Sequence, residues 1–139
     1  ASNNTAVGNS ALISNTTGTQ NVALGSLALD ANTTASDNVA VGYANLSSNT
    51  TGASNTGVGS ETLQNTTTGG ANSAVGTQAL RANTTGDDNV AVGRQAMLSN
   101  TTGGNNVSVG SFSLDANTTG AFNTALGRSA LTQQLEVLL

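Results

Sequence analysis

The sequence contains no cysteine, histidine, tryptophan or proline, and only three of its 139 residues are basic. Without cysteine or histidine the chain has no thiol nucleophile, imidazole base, haem ligand or disulfide, and it lacks the usual ligands of zinc. Catalysis would have to rest on seven carboxylates, on hydroxyls and on three arginines. We therefore expect no enzyme, no catalytic residue, no metal site and no cofactor.

Positive charge and long apolar runs are both scarce. The basic residues Arg81, Arg94 and Arg128 are far apart, and the net charge is -4. Because phosphate binding needs clustered Lys and Arg, we expect no nucleic-acid partner. No apolar run approaches the roughly 18 residues of a membrane span, and the N-terminus has no basic segment before an apolar stretch. We expect no membrane insertion, and an export signal would lie outside this sequence.

Large apolar residues are few as well, since Leu, Ile, Val and Phe make up 28 of the 139 residues. This composition alone would allow a disordered, low-complexity linker. The order of the residues argues otherwise, because a 17-residue repeat with the generic form N-x-A-V-G-x-x-A-L-x-x-N-T-T-G-x-x runs through the chain without insertion. A fixed period puts equivalent residues in register and predicts stacked coils.

Three markers keep the 17-residue phase: an Asn-x-x-x-Gly motif, a large apolar residue and a Thr-Thr pair. The motif asparagines are Asn4, Asn21, Asn38, Asn55, Asn72, Asn89, Asn106 and Asn123. The large apolar residues are Leu12, Leu29, Leu46, Leu63, Leu80, Met97, Leu114 and Leu131. Helical repeats need more residues per unit and better helix formers than this one has. We predict an all-β protein, a parallel β-solenoid of eight 17-residue coils over residues 1–131.

Alternation within each unit predicts one strand, as in Val39-Ala40-Val41. The second large column of the strand is always Val or Leu, so we expect that column to be buried and the Ala column to press against a neighbour. Glycine should end the strand at positive φ or at a close backbone approach. A second short strand should carry the Leu column, and the Asn-Thr-Thr-Gly tetrad should form the next corner.

The count of apolar residues bears on oligomeric state. Two large apolar residues per coil fill little of a contour of about 56 Å. Either a single chain has a thin core, or several chains pool their apolar columns, and we favour a closed homotrimer. At the C-terminus, Leu131, Leu135 and Leu138 have the spacing of a coiled-coil seam. Residues 132–139 are therefore the start of a helical neck, a remnant of cloning or a frayed strand.

The N-[TVS]-A-[VL]-G motif resembles the head repeats of trimeric autotransporter adhesins. The full repeat is similar to arrays in bacterial and phage fibre proteins. This resemblance implies a parallel β-roll in a threefold assembly, an extracellular, cell-surface or virion location, and a non-catalytic structural or adhesive role. It brings no catalytic residues. The present repeat is longer than that of the adhesin heads, so coil shape and handedness do not carry over.

Stacked asparagines and threonines allow several interpretations. Eight asparagines in register predict amide ladders between coils. Asn-Thr-Thr also matches a glycosylation acceptor, but turn formation by Asn, Thr and Gly accounts for the tetrad better. Stacked threonines make ice binding the alternative function. Adjacent residues of a strand face opposite ways, however, so Thr-Thr supplies one outward column per coil.

Acidic side chains are sparse and scattered. Asp87 and Asp88 are adjacent in one unit only, which predicts a solvated loop and no calcium array. Asp30 and Asp115 share a column but stand roughly 24 Å apart, whereas a glycosidase pair needs about 5–9 Å. A carbohydrate-processing tailspike is therefore a distant third function.

Recognition should fall on the variable, outward positions. The candidates for contact with surface glycans or a host-cell surface are Tyr43, Arg94, Phe112, Phe122 and Arg128.

Overall fold

In a computed structural model, which describes residues 1–132, the chain forms one parallel sheet of eight strands in the order β1 to β8. Each strand is three residues long. The strands are β1 Thr5–Val7, β2 Val22–Leu24, β3 Val39–Val41, β4 Thr56–Val58, β5 Ser73–Val75, β6 Val90–Val92, β7 Val107–Val109 and β8 Thr124–Leu126. The predicted all-β solenoid is confirmed. The terminal segment lies outside the described residues except for Thr132.

Pairing follows the sequence repeat, since Thr5 pairs with Val22 and Val22 pairs with Val39. The ladder also continues beyond the strands. The amide of Leu12 donates to the carbonyl of Ala28 at 3.0 Å, and the amide of Thr16 donates to that of Thr33 at 2.9 Å. The whole coil is therefore hydrogen-bonded to its neighbour, although only its three strand residues are extended.

The predicted second strand is wrong for the part of the chain that the structure describes. Residues of the Leu column have left-handed backbones, with φ of 52° at Leu29 and 53° at Leu46. Such a residue cannot continue a strand, because φ in an extended strand is negative. The left-handed backbone costs roughly 1–2 kcal/mol per residue. Complete burial of the Leu29 and Leu46 side chains offsets this cost.

The expectation that the Val or Leu column of the strand is buried is also wrong in the single chain. Val75 is 43% exposed, whereas its neighbour Ala74 is fully buried. In a three-residue strand the middle side chain faces one way and both flanking side chains face the other. The coil interior is so narrow that it accepts only the small middle residue. At Gly57 even a β-carbon would overlap the amide of Asn45.

Glycine ends each strand at a positive φ, and from Gly8 to Gly110 the backbone of the next coil also approaches it closely. Gly93, for example, has a φ of +133°, and a β-carbon there would lie 2.6 Å from the carbonyl carbon of Gly110 in the next coil. A side chain at this position would strain its own backbone and push the two coils apart.

Candidate functional site

The outward side chains of the eight strands form a surface that we call the sheet face. Its sixteen positions carry no charge, and twelve of them are Val or Leu. The remaining four are Thr5, Thr56, Ser73 and Thr124. Seven of the Val and Leu side chains in the inner coils remain 36–47% exposed, although coils on both sides cover them. The sheet face thus consists of one unbroken apolar column, from Val7 to Leu126, beside a column in which valines are interspersed with uncharged hydroxyl residues.

The motif asparagines, which we call the strand asparagines, line the interior at the start of each strand. The backbone amide of Asn38 donates to Oδ1 of Asn21 at 3.0 Å, and that of Asn55 donates to Oδ1 of Asn38 at 2.9 Å. Their side-chain amides reach across the coil, as in the 3.0 Å bond from Nδ2 of Asn38 to the carbonyl of Gly52. These asparagines therefore hold neighbouring coils together from inside and have a structural role.

The tetrad asparagines form a second interior column, which we call the corner asparagines. Asn49 donates Nδ2 to the carbonyl of Gly52 at 2.9 Å and to Oδ1 of Asn32 at 3.2 Å. Gly52 thus accepts from Asn38 and Asn49, one asparagine of each column. The corner asparagines Asn32, Asn49, Asn83, Asn100 and Asn117 are buried, so they are inaccessible as sugar acceptors in the folded chain.

The fourth unit interrupts the corner column, because Thr66 stands where the other units have asparagine. Two buried polar atoms, Oγ1 of Thr66 and Oδ1 of Asn49, have no hydrogen-bond partner. Asn65, displaced by one position, is exposed on the outside of the coil.

The two threonines of each tetrad have different surroundings. The hydroxyl of the first donates to the next coil, as from Thr16 to the carbonyl of Thr33 at 2.9 Å. The second threonines form a single exposed column. They are Thr17, Thr34, Thr51, Thr68, Thr85, Thr102 and Thr119.

The five recognition candidates do not form one site. Tyr43, Arg94 and Arg128 share one column but belong to different coils. The structure brings together Arg94 and Phe112, with the guanidinium carbon 4.4 Å from the ring centroid. Phe122 is 82% exposed and lies at another corner, after a tetrad rather than after a strand.

A groove of about 360 Å³ lies on the side of the coil that follows the strand. Its lining residues are Asn65, Arg81, Ala82, Leu98 and Ser99. None of these five residues is among the recognition candidates that the sequence predicts. Two sequence features indicate the groove. One is the one-residue shift at Asn65, and the other is the presence of large side chains, Arg81 and Leu98, in a column that varies from unit to unit.

The acidic residues make isolated contacts. Glu61 Oε2 accepts a 2.9 Å hydrogen bond from Gln78 and lies 3.4 Å from Nε of Arg81. Asp87 accepts a 2.7 Å bond from the amide of Gly70. Among residues 1–132, no three acidic side chains come together as a metal site. In the same range no helix is long and apolar enough to cross a membrane.

Comparison of the chain with protein-family models, curated protein sequences and solved structures gives no match.

Proposed function

We propose that the chain is a structural or adhesive segment of an extracellular fibre, on a cell surface or a virion, and that three copies assemble through their sheet faces. The observation that carries this proposal is the apolar sheet face. Monomeric soluble proteins rarely expose a contiguous apolar surface of more than a few hundred square ångströms. Here an unbroken column of eight Val and Leu side chains runs over a length of roughly 34 Å, and the column beside it adds four valines.

Covering the sheet face supplies the free energy for assembly. Complete burial of a Val or Leu side chain stabilises by about 1.5–3 kcal/mol. For the seven inner residues that remain 36–47% exposed, the gain is about 0.6–1.2 kcal/mol each, or about 4–8 kcal/mol per chain, before the cost of association.

A threefold arrangement suits a face built of two parallel columns. Each chain of a closed trimer meets two neighbours, so each column has a partner chain. The column that contains Val75 would meet one neighbour, and the column that contains Val90 would meet the other. The assembled molecule would be stiff along its axis, because each coil is hydrogen-bonded to the next over most of its length.

Light scattering tests the assembly. We expect the full chain to have three times the 13.6 kDa mass of a single chain. Substitution of Val75→Lys together with Val92→Lys puts two charges on the sheet face and should give folded monomers. The matched control, Thr68→Lys with Thr85→Lys, adds the same charge at two exposed tetrad positions of neighbouring coils and should leave a trimer. A folded monomer or a dimer of the unmodified chain would contradict the proposal.

Ice binding is the second candidate, and the in-register column of seven exposed threonines favours it. Thermal hysteresis of the purified protein tests this function. The Thr68→Lys and Thr85→Lys variant should reduce the hysteresis, and absence of any hysteresis in the unmodified chain would exclude ice binding.

A further inference from the structure

We propose that the groove beside Arg81 binds a short, neutral saccharide. This inference rests on the proposed fibre function and specifies the ligand of its adhesive role. The groove volume of about 360 Å³ falls within the range of roughly 300–1,000 Å³ that is typical of small-molecule sites. Small residues, Ala82 and Ser99, alternate there with the large Arg81 and Leu98.

The lining combines the two kinds of surface that a sugar requires. Ala82 and Leu98 offer apolar surface to the C–H groups of a sugar ring. Asn65 supplies an amide, Ser99 a hydroxyl and Arg81 a guanidinium, and all of these can bond to sugar hydroxyls. The combination of apolar surface with a few convergent polar groups is characteristic of ligand sites.

Arg81 is held in place before a ligand arrives. Its Nε donates to Oε1 of Gln64 at 3.0 Å and lies 3.4 Å from Oε2 of Glu61. Glu61 in turn accepts from Gln78, which accepts a 2.7 Å bond from Gln95. This chain of contacts links three coils. Because it restricts the Arg81 side chain in the free protein, less conformational entropy is lost when a ligand binds. The other N–H groups of the guanidinium make no hydrogen bond within residues 1–132 and remain available.

The charge balance favours a neutral ligand. Glu61 lies beside Arg81 and compensates its positive charge. An anionic group in the groove would meet the attraction of one arginine and the repulsion of one carboxylate. Uncharged sugar hydroxyls accept from the guanidinium without that repulsion.

The groove also lies outside the proposed trimer contact. Its residues belong to the segment after the strand, and none of them is on the sheet face. A trimer would carry three grooves, so weak binding at each would add up on a surface with many glycans.

An array of immobilised neutral and acidic oligosaccharides tests the inference. The chain contains no lysine, so a fluorophore coupled to an amine attaches at the N-terminus and away from the groove. We expect the unmodified trimer to bind neutral oligosaccharides and Arg81→Gln to bind them at least tenfold more weakly. Asp37→Asn, which also changes the charge by one unit but at an exposed position of a distant coil, should bind like the unmodified chain. Circular dichroism of each variant verifies that its fold is retained.

Three results would overturn the inference: no binding to any neutral oligosaccharide, binding to acidic oligosaccharides alone, or equal binding by Arg81→Gln. Light scattering on the same samples separates the two proposals. A trimer that binds no neutral sugar contradicts only the groove assignment, whereas a monomer that binds one contradicts only the assembly.

Discussion

At the scale of single residues, buried asparagines fill much of the space that apolar side chains fill in other proteins. The burial of an amide is costly unless its hydrogen bonds are satisfied. Asn72 satisfies this condition, since its Nδ2 donates to Gly86 at 2.9 Å and its Oδ1 accepts from the backbone amide of Asn89 at 3.0 Å. Stacking identical coils provides such partners along the column of strand asparagines, so the interior can be polar and still stable.

Thr66 interrupts the column of corner asparagines, and substitution of this residue tests the role of that column. Thr66→Asn should restore the corner column by donating to Oδ1 of Asn49, which has no partner now. Because Oδ1 of Asn49 gains a partner and the unpartnered hydroxyl of Thr66 is removed, we expect the free energy of unfolding to rise by about 1–3 kcal/mol. Urea denaturation at one fixed protein concentration measures the change.

The converse substitution is the control. Asn100→Thr removes the bonds that Nδ2 of Asn100 makes to Asn83 and Gly103, at 3.1 and 2.9 Å, and should lower the free energy of unfolding by a similar amount. If Thr66→Asn is neutral while Asn100→Thr is destabilising, hydrogen bonds between corner asparagines of neighbouring coils do not stabilise the fold.

At the scale of the structural element, each coil consists of one short strand followed by a long bent segment with left-handed residues. Three positions per coil have positive φ without being glycine, as at Leu46, Ser54 and Glu61. The glycine at the end of the strand combines two constraints, because its φ is positive and the backbone of the next coil occupies the place of a β-carbon.

Substitution of two glycines tests this difference. Gly93→Ala would place its β-carbon 2.6 Å from the carbonyl carbon of Gly110, at a φ of +133°, so we expect a loss of about 2–4 kcal/mol in the free energy of unfolding. Gly104→Ala is the matched control. Its column already holds Ala53 and Asp87, and we expect a change within about 0.5 kcal/mol. Chemical denaturation of both variants provides the measurement, and equal effects would contradict the explanation.

At the scale of the whole molecule, stability comes from contacts between neighbouring coils. Strand pairing joins only consecutive units, and each pair has the same 17-residue register. Such a stack behaves as a one-dimensional array in which each interface contributes separately.

Deletion of a complete coil should therefore be tolerated. Without residues 22–38, Asn21 would precede Val39 and every later column would keep its phase. We expect a folded protein, shorter by about 4.8 Å, with a lower free energy of unfolding because one coil interface is lost. Circular dichroism, small-angle scattering and denaturation measure these three properties.

Deletion of residues 22–30 alone is the control. This shorter deletion leaves only eight residues between the first coil and Asn38, so the first coil loses its in-register neighbour while the coils from Asn38 onward keep their phase. We expect a larger loss in the free energy of unfolding than after deletion of the complete coil. Unfolding of both deletion variants would show that the stack is a single cooperative unit rather than a sum of interfaces.

The 17-residue repeat alone predicts the period, the all-β class and the stacking of Asn21 on Asn38. Each of these follows from residues that recur every 17 positions, because a stack of equal coils puts equivalent residues against one another. The number of chains in the assembly, by contrast, stays a prediction.

The side of the strand that faces inward is known from the three-dimensional structure alone. Alternation in Val90-Ala91-Val92 defines two faces but does not indicate which of them is the interior. The structure buries the small Ala91 and leaves the two valines outside. The outcome depends on the width of the coil, which the asparagine amides and the Leu column set together. The groove at Arg81 has the same origin, since it arises from side chains of neighbouring coils that no local sequence pattern connects.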